Sequence, residues 1–546
     1  MHEVVGELVP WWQRGVIYQV YPRSFADASG DGVGDLAGVI DRLDYLAGTL
    51  GVEAIWLSPF YRSPMRDFGY DISDHTDVDP LFGDLATIDR LVSEVHRRGL
   101  KLIVDYVLNH TSVDHSWFEE SRSSRESERR DWYLWRDPKP DGSAPNNWIS
   151  VFGGPAWALD ERTGQCYLHL FDRLPDLNWR APGARRAMLD VVRFWLDRDV
   201  DGFRIDVAHL IMKDPELRDN PPPAGDGGGG FHKPMGDYDS QLHLHDKAHP
   251  DVHGVYRELR EIVDGHEHGR ARVTIGDPRV RVGEVGVLLR RRARRAAHAV
   301  QLRAPEHGVE RGRRARGGGR ARIALPEGAW PNWVLGNHDE SRVATRVGPA
   351  GARLAMMLLL TLRGTPTIYN GDELGMEDVD VPPELVRDPM ELLRPGTGVG
   401  RDPARAPMPW TRGENAGFSP PGAAPWLPLP PDAGRISVEA QLADPGSMLS
   451  LTRRLLALHR ASPALAAGDY RELSAQGERC LCFLRESAGR RVLVALNFES
   501  SEQVLDLGSL GAGELLASTA MDRDGAGHLS RLVLRAQEGV VVRLAG

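Results

Sequence analysis

Cysteine is nearly missing from this chain. Cys166, Cys480 and Cys482 are the three cysteines in 546 residues, too few and odd in number for a disulfide framework. No run approaches the ~18 apolar residues of a membrane span. The opening Met1–Glu7 lacks the basic segment and apolar stretch of a secretion signal. An excess of positive charge is missing too: 67 basic against 77 acidic residues leave a net charge of −10, which argues against a polyanionic partner. These absences imply a soluble cytoplasmic protein with no nucleic-acid and no membrane partner. What is present suits a large globular chain, 41% hydrophobic and 26% charged, with 14 tryptophans. Tryptophan lines many sugar sites, but more often it packs a core. The length exceeds one ordinary domain and suits a large barrel with smaller modules. No oligomeric state is legible.

Apolar runs and helical spacings alternate along the first part of the chain. Val16–Tyr21 reads as a strand, Leu36–Leu50 as a helix, Ala54–Leu57 as a strand, Leu81–Arg98 as a helix and Leu100–Val107 as a strand. Such alternation implies parallel strands with crossover helices. Between 111 and 175 the alternation lapses into Trp-, Gly-, Pro- and charge-rich sequence, an inserted subdomain after the third strand. It resumes with a helix at Arg185–Asp199, a fourth strand at Gly202–Asp206, a helix at Ala352–Leu362 and an eighth strand at Thr365–Tyr369. The proline-heavy stretch Pro382–Pro431 reads as loop over the barrel mouth. From 464 to 546, short alternating runs imply a small β-sandwich. The expected fold is α/β: a (β/α)8 TIM barrel at 1–110 and 176–463, interrupted by the insertion and followed by a C-terminal β domain.

Polar groups stand just past the apolar runs, where such a barrel carries its chemistry. They are Asp105 with Asn109–His110, the pentapeptide Gly202–Asp206, the tripeptide Asn337–Asp339, and the loop Gly69–Asp71. Cleaving a glycosidic bond with retention needs two carboxyls about 5–5.5 Å apart, one an ionised nucleophile and the other a protonated acid. Asp206 suits the nucleophile. Arg204 lies two residues earlier, on the same strand face, and a guanidinium there keeps the carboxylate charged. A fifth strand, Val273–Gly276, ends where the acid is expected, and the next residue is Asp277.

Over about residues 10–276 and 323–546 the chain resembles the α-amylase family of glycoside hydrolases, in its α-glucosidase and oligo-1,6-glucosidase branch. Besides the motifs above, Pro175–Asn178 resembles that branch's inserted-domain signature. Gly400–Pro403 with Arg405–Trp410 resembles a segment shared by its α-glucosidases. The resemblance implies a retaining α-glucosidase that removes terminal α-1,4- or α-1,6-linked glucose from a short oligosaccharide or disaccharide. Asp206 would be the nucleophile and Asp339 the third carboxylate, holding sugar hydroxyls. Asp71, His110, Arg204 and His338 would ring the glucose, Tyr70 would stack beneath it and Arg401 would close the pocket. Val207 resembles members that accept α-1,6 links. Alternatives are a glucosyl transferase or a trehalose- or isomaltulose-forming isomerase, and a sugar-binding relative without catalysis.

Near the start, Asp27, Ser29, Asp31 and Asp35 punctuate a glycine-rich loop. Calcium takes six to eight oxygens, and this spacing wraps a loop around such an ion. Related α-glucosidases carry a similar loop, so a structural Ca2+ is expected on Asp27, Ser29, Asp31, Asp35 and the Val33 carbonyl, with no organic cofactor.

Residues 277–322 depart from everything around them. They contain no Phe, Tyr, Trp or Lys, and arginines crowd in. A fifth helix, a sixth strand and a sixth helix belong here, yet no buried strand is evident, and a barrel lacking a strand cannot close its hydrogen-bond ring. An altered reading frame accounts for the text. Gly276–Gly283 can be encoded by GGA GAT CCA CGT GTT CGA GTG GG. One base later the same letters give Glu-Ile-His-Val-Phe-Glu-Trp, which begins with the missing glutamate. Taken as written, Asp277 inherits the acid's position with a side chain one methylene shorter.

Overall fold

The computed structural model describes residues 9–223, 236–266, 271–276, 298–303, 330–473 and 480–545. Eight parallel strands form a closed ring in chain order: β1 (Ile17–Val20), β2 (Ala54–Leu57), β3 (Lys101–Tyr106), β4 (Gly202–Ile205), β5 (Val273–Gly276), β6 (His298–Arg303), β7 (Trp330–Val334) and β8 (Thr365–Tyr369). β8 pairs back onto β1, with Ile17 opposite Thr367.

The expectation of a missing sixth strand is corrected here. β6 comes from inside the anomalous segment, pairing Thr274 with His298 on one side and Ala299 with Trp330 on the other. A strand held between two parallel neighbours needs only its amides and carbonyls. His298–Arg303 contains neither glycine nor proline to interrupt them. Aromatic content was therefore the wrong criterion for ring closure.

Helices cover the barrel because their apolar faces recur at helical spacing. In α1 (Leu85–Arg97), Ile88, Leu91, Val92 and Val95 are buried. Asp84 caps its start by accepting the Thr87 amide at 2.8 Å, one of the orphan donors of a helix N-terminus. α2 (Pro182–Asp197) and α3 (Val252–Gly265) follow the same pattern. α4 (Val343–Thr361) is long and apolar enough to cross a membrane by length and composition, which the sequence reading missed, but more than half of it is buried inside the protein. A left-handed turn at Gly348 breaks it near its start.

Inside 111–175 lies a three-stranded antiparallel sheet of Trp135–Arg136, Gln165–Leu168 and Trp157–Asp160. Its aromatic cluster of Trp148, Phe152, Trp157 and Phe171 packs on Val207 and Leu210 after β4, and on Met390 and Val399 of the proline-heavy loop. The insertion therefore roofs the C-terminal end of the barrel. The last domain pairs a six-stranded antiparallel sheet with a two-stranded one. It is tied to the barrel by buried Arg485, which donates to the Thr361 carbonyl at 2.6 Å.

Beneath β8 a buried carboxyl, Glu373, accepts the Tyr18 and Tyr45 hydroxyls at 2.7 and 2.9 Å and the Gly371 amide at 2.9 Å. Burial outweighs these donors and pushes Glu373 from 4.5 up to about 7. The folded state thus keeps a proton that the unfolded chain releases. Its contribution is full below the unfolded carboxyl range and is lost as pH rises toward neutrality. Glu373→Gln should reduce the stability lost between about pH 5 and pH 7.5 by about 2 kcal/mol, read from urea melts at both pH values. An equal loss in both proteins would rule the group out.

Candidate active site

The floor of the site is built by strand register. Asp105 on β3 sits opposite Arg204 on β4, and period-two alternation aims Arg204 and Asp206 the same way. The Arg204 Nη1 donates to both Asp105 oxygens at 3.0 and 3.1 Å and to Asp206 Oδ1 at 2.8 Å. All three residues are buried. A guanidinium taken this far from water is tolerable only with close anionic partners. Asp105 is held in turn by Tyr70 Oη at 3.1 Å and Trp56 Nε1 at 3.3 Å. Burial raises Asp105, and the Arg204 charge opposes that shift. Directly after Asp206 the backbone turns left-handed at Val207, φ 38°, a strained conformation for a β-branched residue. Such strain concentrates at functional sites.

One wall is a stack of rings. His338 lies between Tyr21 and Tyr70, with centroids at 5.3 and 5.2 Å and planes within about 10°. Its Nδ1 meets Gln19 at 2.8 Å, while its buried Nε2 lies 3.6 Å from Asp339 Oδ1 and has no hydrogen-bond partner among the described residues. Burial lowers His338 to about 3 and His110 to about 4. Both rings are neutral at neutral pH and act as hydrogen-bonding groups, not charges.

The other wall comes from the proline-heavy loop. Arg401 reaches Asp388 through Nε at 2.9 Å and Nη2 at 2.8 Å, Asp67 at 2.5 Å and Asp339 at 3.3 Å. Arg405 donates to the His338 carbonyl at 2.7 Å and to Asp339 at 3.2 Å. Burial works against charge on Asp388, but the Arg401 guanidinium overrides it and holds the carboxyl well below the usual range. Asp67 goes the other way: burial raises it to about 6 against the pull of Arg401 and Arg405.

The structure brings Asp206, Asp339, Arg204, Tyr70, His338 and Arg401 into one linked network, with His110 behind Tyr70, its Nε2 at 3.3 Å from the Tyr70 carbonyl. It corrects the placement of Asp71. That carboxylate is spent inside its own loop on Ser63 Oγ and the amides of Arg66 and Asp67, at 2.8, 2.8 and 3.0 Å. The loop carboxylate that faces the arginines is Asp67. Sequence reasoning missed Asp67, Asp388 and Arg405 as site residues. Asp67 stands just before a motif that was noticed, and Arg405 inside one. Asp388 carries no local signal. Replacing Arg401 by lysine removes the planar fork that a point charge cannot reproduce. KM for a simple α-glucoside should rise by about tenfold, a loss of roughly 1.4 kcal/mol, and steady-state kinetics would show whether it does.

Asp277 lies outside the described residues. The last described residue of β5, Gly276, is in register with Ile205, the residue before Asp206. The Asp27–Asp35 loop is closed by its own amides. Asp27 accepts from Gly30 and Gly32 at 2.6 and 2.9 Å and from Ser29 Oγ at 3.1 Å. Asp35 accepts from Ala28, Ser29 and Gly38 at 3.1, 2.9 and 2.7 Å, and Asp31 from Val33 at 2.8 Å. Among the described residues no group of three or more His, Cys, Asp or Glu side chains is placed to hold a metal ion. The calcium expected of this loop rests on the spacing of its oxygens, and no step below passes through an ion there.

Buried carboxylates outnumber guanidiniums here, which suits neutral hydroxyls in the ground state and positive charge in the transition state. Comparison with known proteins agrees. Residues 19–294 and 318–468 match the family described as alpha amylase, catalytic domain. The chain is 41% identical to a probable alpha-glucosidase of Rhizobium meliloti over 520 residues, covering 93% of each chain. It is 36% identical to an oligo-1,6-glucosidase of Parageobacillus thermoglucosidasius over 580 residues, covering 98% of this chain and 99% of the other. Its fold matches the crystal structure of an alpha-glucosyl transfer enzyme, XgtA, with a TM-score of 0.87 and 40% identity, covering 98% of this chain and 100% of that one.

Proposed function

The chain belongs to the α-amylase catalytic-domain family, and from that premise we propose that it is a retaining α-glucosidase releasing glucose from the non-reducing ends of short α-glucosides. One observation carries this reading: the nucleophile's carboxylate is tied by Arg204 at 2.8 Å, in a pocket walled by the cluster of Asp67, Arg401 and Asp339. Charged groups arranged in that way suit the hydroxyls of a terminal sugar.

The chemistry follows from the geometry. Arg204 keeps Asp206 ionised, ready to attack the anomeric carbon from the face opposite the leaving group. Asp339, held by Arg401 and Arg405, aligns the ring hydroxyls and favours the distorted, positively charged transition state. Tyr70 offers a ring face to the sugar, and the Nε2 of His338, beside Asp339 Oδ1 at 3.6 Å, offers a hydrogen bond. A carboxylic acid after β5 must protonate the departing oxygen and then draw a proton from water. Asp277 holds that place in the chain as written, and a shorter acid there would impair both half-reactions.

Product analysis on maltose, isomaltose and sucrose tests the proposal. Free monosaccharides as the main products are expected. Longer oligosaccharides would instead favour a transferase, a reading supported by the likeness to XgtA. Saturable glucose binding with no turnover would favour a sugar-binding protein. A cytoplasmic location accords with a chain that holds only three cysteines, and fractionation of the native cell would test it.

A further inference from the structure

We propose that Lys213 is a positioning residue for His110: acting through Asn109, with Asp176 as its counter-ion, it decides which ring nitrogen of His110 carries the proton. The four side chains form a buried chain with exposures of 5% for Lys213, 0% for Asn109 and Asp176, and 2% for His110. They come from three parts of the fold: Lys213 follows β4, Asp176 closes the insertion, and Asn109–His110 follows β3. An isolated bridge joins the backbones of His110 and Asp176.

The argument is one of donors and acceptors. Lysine's ammonium can only donate. Its Nζ lies 2.8 Å from Asn109 Oδ1 and 2.5 Å from Asp176 Oδ2. The Asn109 atom facing it must therefore be the oxygen, which settles the orientation of the amide. Asn109 Nδ2 is then left facing Asp176 Oδ2 at 3.2 Å and His110 Nδ1 at 3.3 Å. An amide NH2 also only donates, so Nδ1 must accept, and the proton of the neutral ring resides on Nε2. That N–H points to the Tyr70 carbonyl at 3.3 Å, in the residue whose ring stacks on His338. Asp176 is fixed from its other side by the Leu170 amide at 3.0 Å. Because burial keeps His110 neutral at neutral pH, its tautomer is the property left to control. A fully buried ion pair adds little net stability over apolar packing. Its service here is to orient an amide.

This inference rests on reading His110 as a pocket residue, yet its test detects a ring proton and not turnover. The full-length protein is labelled with 15N-histidine, and long-range proton–nitrogen correlations distinguish protonated from unprotonated ring nitrogens. The His110 signals are assigned by their loss in His110→Gln. Unprotonated Nδ1 with protonated Nε2 is expected, and a proton on Nδ1 in the unmutated protein overturns the proposal without any variant. Lys213→Met frees the Asn109 amide to turn, so mixed or inverted tautomers are expected, and an unchanged single tautomer counts against it. Should that variant fail to fold, Asn109→Asp places an acceptor opposite Nδ1 and is expected to draw the proton there. A proton remaining on Nε2 is the adverse result. If the tautomers behave as expected and the chain with its reading frame restored cleaves no α-glucoside, the functional reading fails while this one stands.

Discussion

A chain with the reading frame restored across residues 277–322 is expected to hydrolyse a simple α-glucoside about 10²- to 10⁴-fold faster, in kcat/KM, than the chain as written. That range is the usual worth of a positioned acid. The restored text begins with glutamate after Gly276, whose register partner Ile205 precedes Asp206. An aspartate in that place holds its proton too far from the leaving oxygen. The family match also breaks in this segment, ending at 294 and resuming at 318. Determining the gene's sequence across codons 270–330 comes first. A trace that restores the glutamate makes the printed chain an error. A trace that confirms it makes the natural product a crippled enzyme, and the restored chain becomes an engineered gain of function. Equal activity of the two chains would sink the idea that Asp277 is a deficient acid.

In the restored chain, Asp206→Asn is expected to lower kcat by about 10⁴-fold or more, the scale of removing a member of a catalytic unit. An amide cannot attack the anomeric carbon, so no glycosyl-enzyme forms. The fold should survive, because Arg204 keeps its two contacts to Asp105 at 3.0 and 3.1 Å. A second substitution separates nucleophile from prop. Asp206→Gly leaves room for azide, which can displace an activated aglycone from the same face and give the β-glucosyl azide. Recovery of turnover with that product identifies Asp206 as the nucleophile. A variant that keeps hydrolysing at more than a few per cent of the parent rate would falsify the assignment.

The limits of legibility follow the range of the interactions. Arg204 was legible as Asp206's partner because two residues along a strand share a face, a local rule. The order of the six strands named from sequence was legible because each strand pairs with its chain neighbours. β6 was not, since its pairing is made by backbone groups that every sequence carries, and judging it by aromatic content misled. Asp71 was named and Asp67 missed because both lie in one short loop, and nothing local distinguishes them. Arg401, 334 residues away in sequence, selects Asp67. Likewise Asp388 acquires a role only once the proline-heavy loop folds over the barrel mouth. The Asp27–Asp35 spacing suggested an ion, and only the folded loop shows that its own amides also donate to those oxygens.

The amino-acid sequence by itself determined the barrel, the pairing of Asp206 with Arg204, and the break in the family pattern, because period-two and helical spacings and short motifs are properties of neighbours along the chain. Only the tertiary structure decided which loop carboxylate faces Arg401, how Asn109 is oriented by Lys213, and that the ring closes through β6. Those outcomes depend on side chains and strands meeting across hundreds of residues, where burial makes the choice of hydrogen-bond and charge partners matter most.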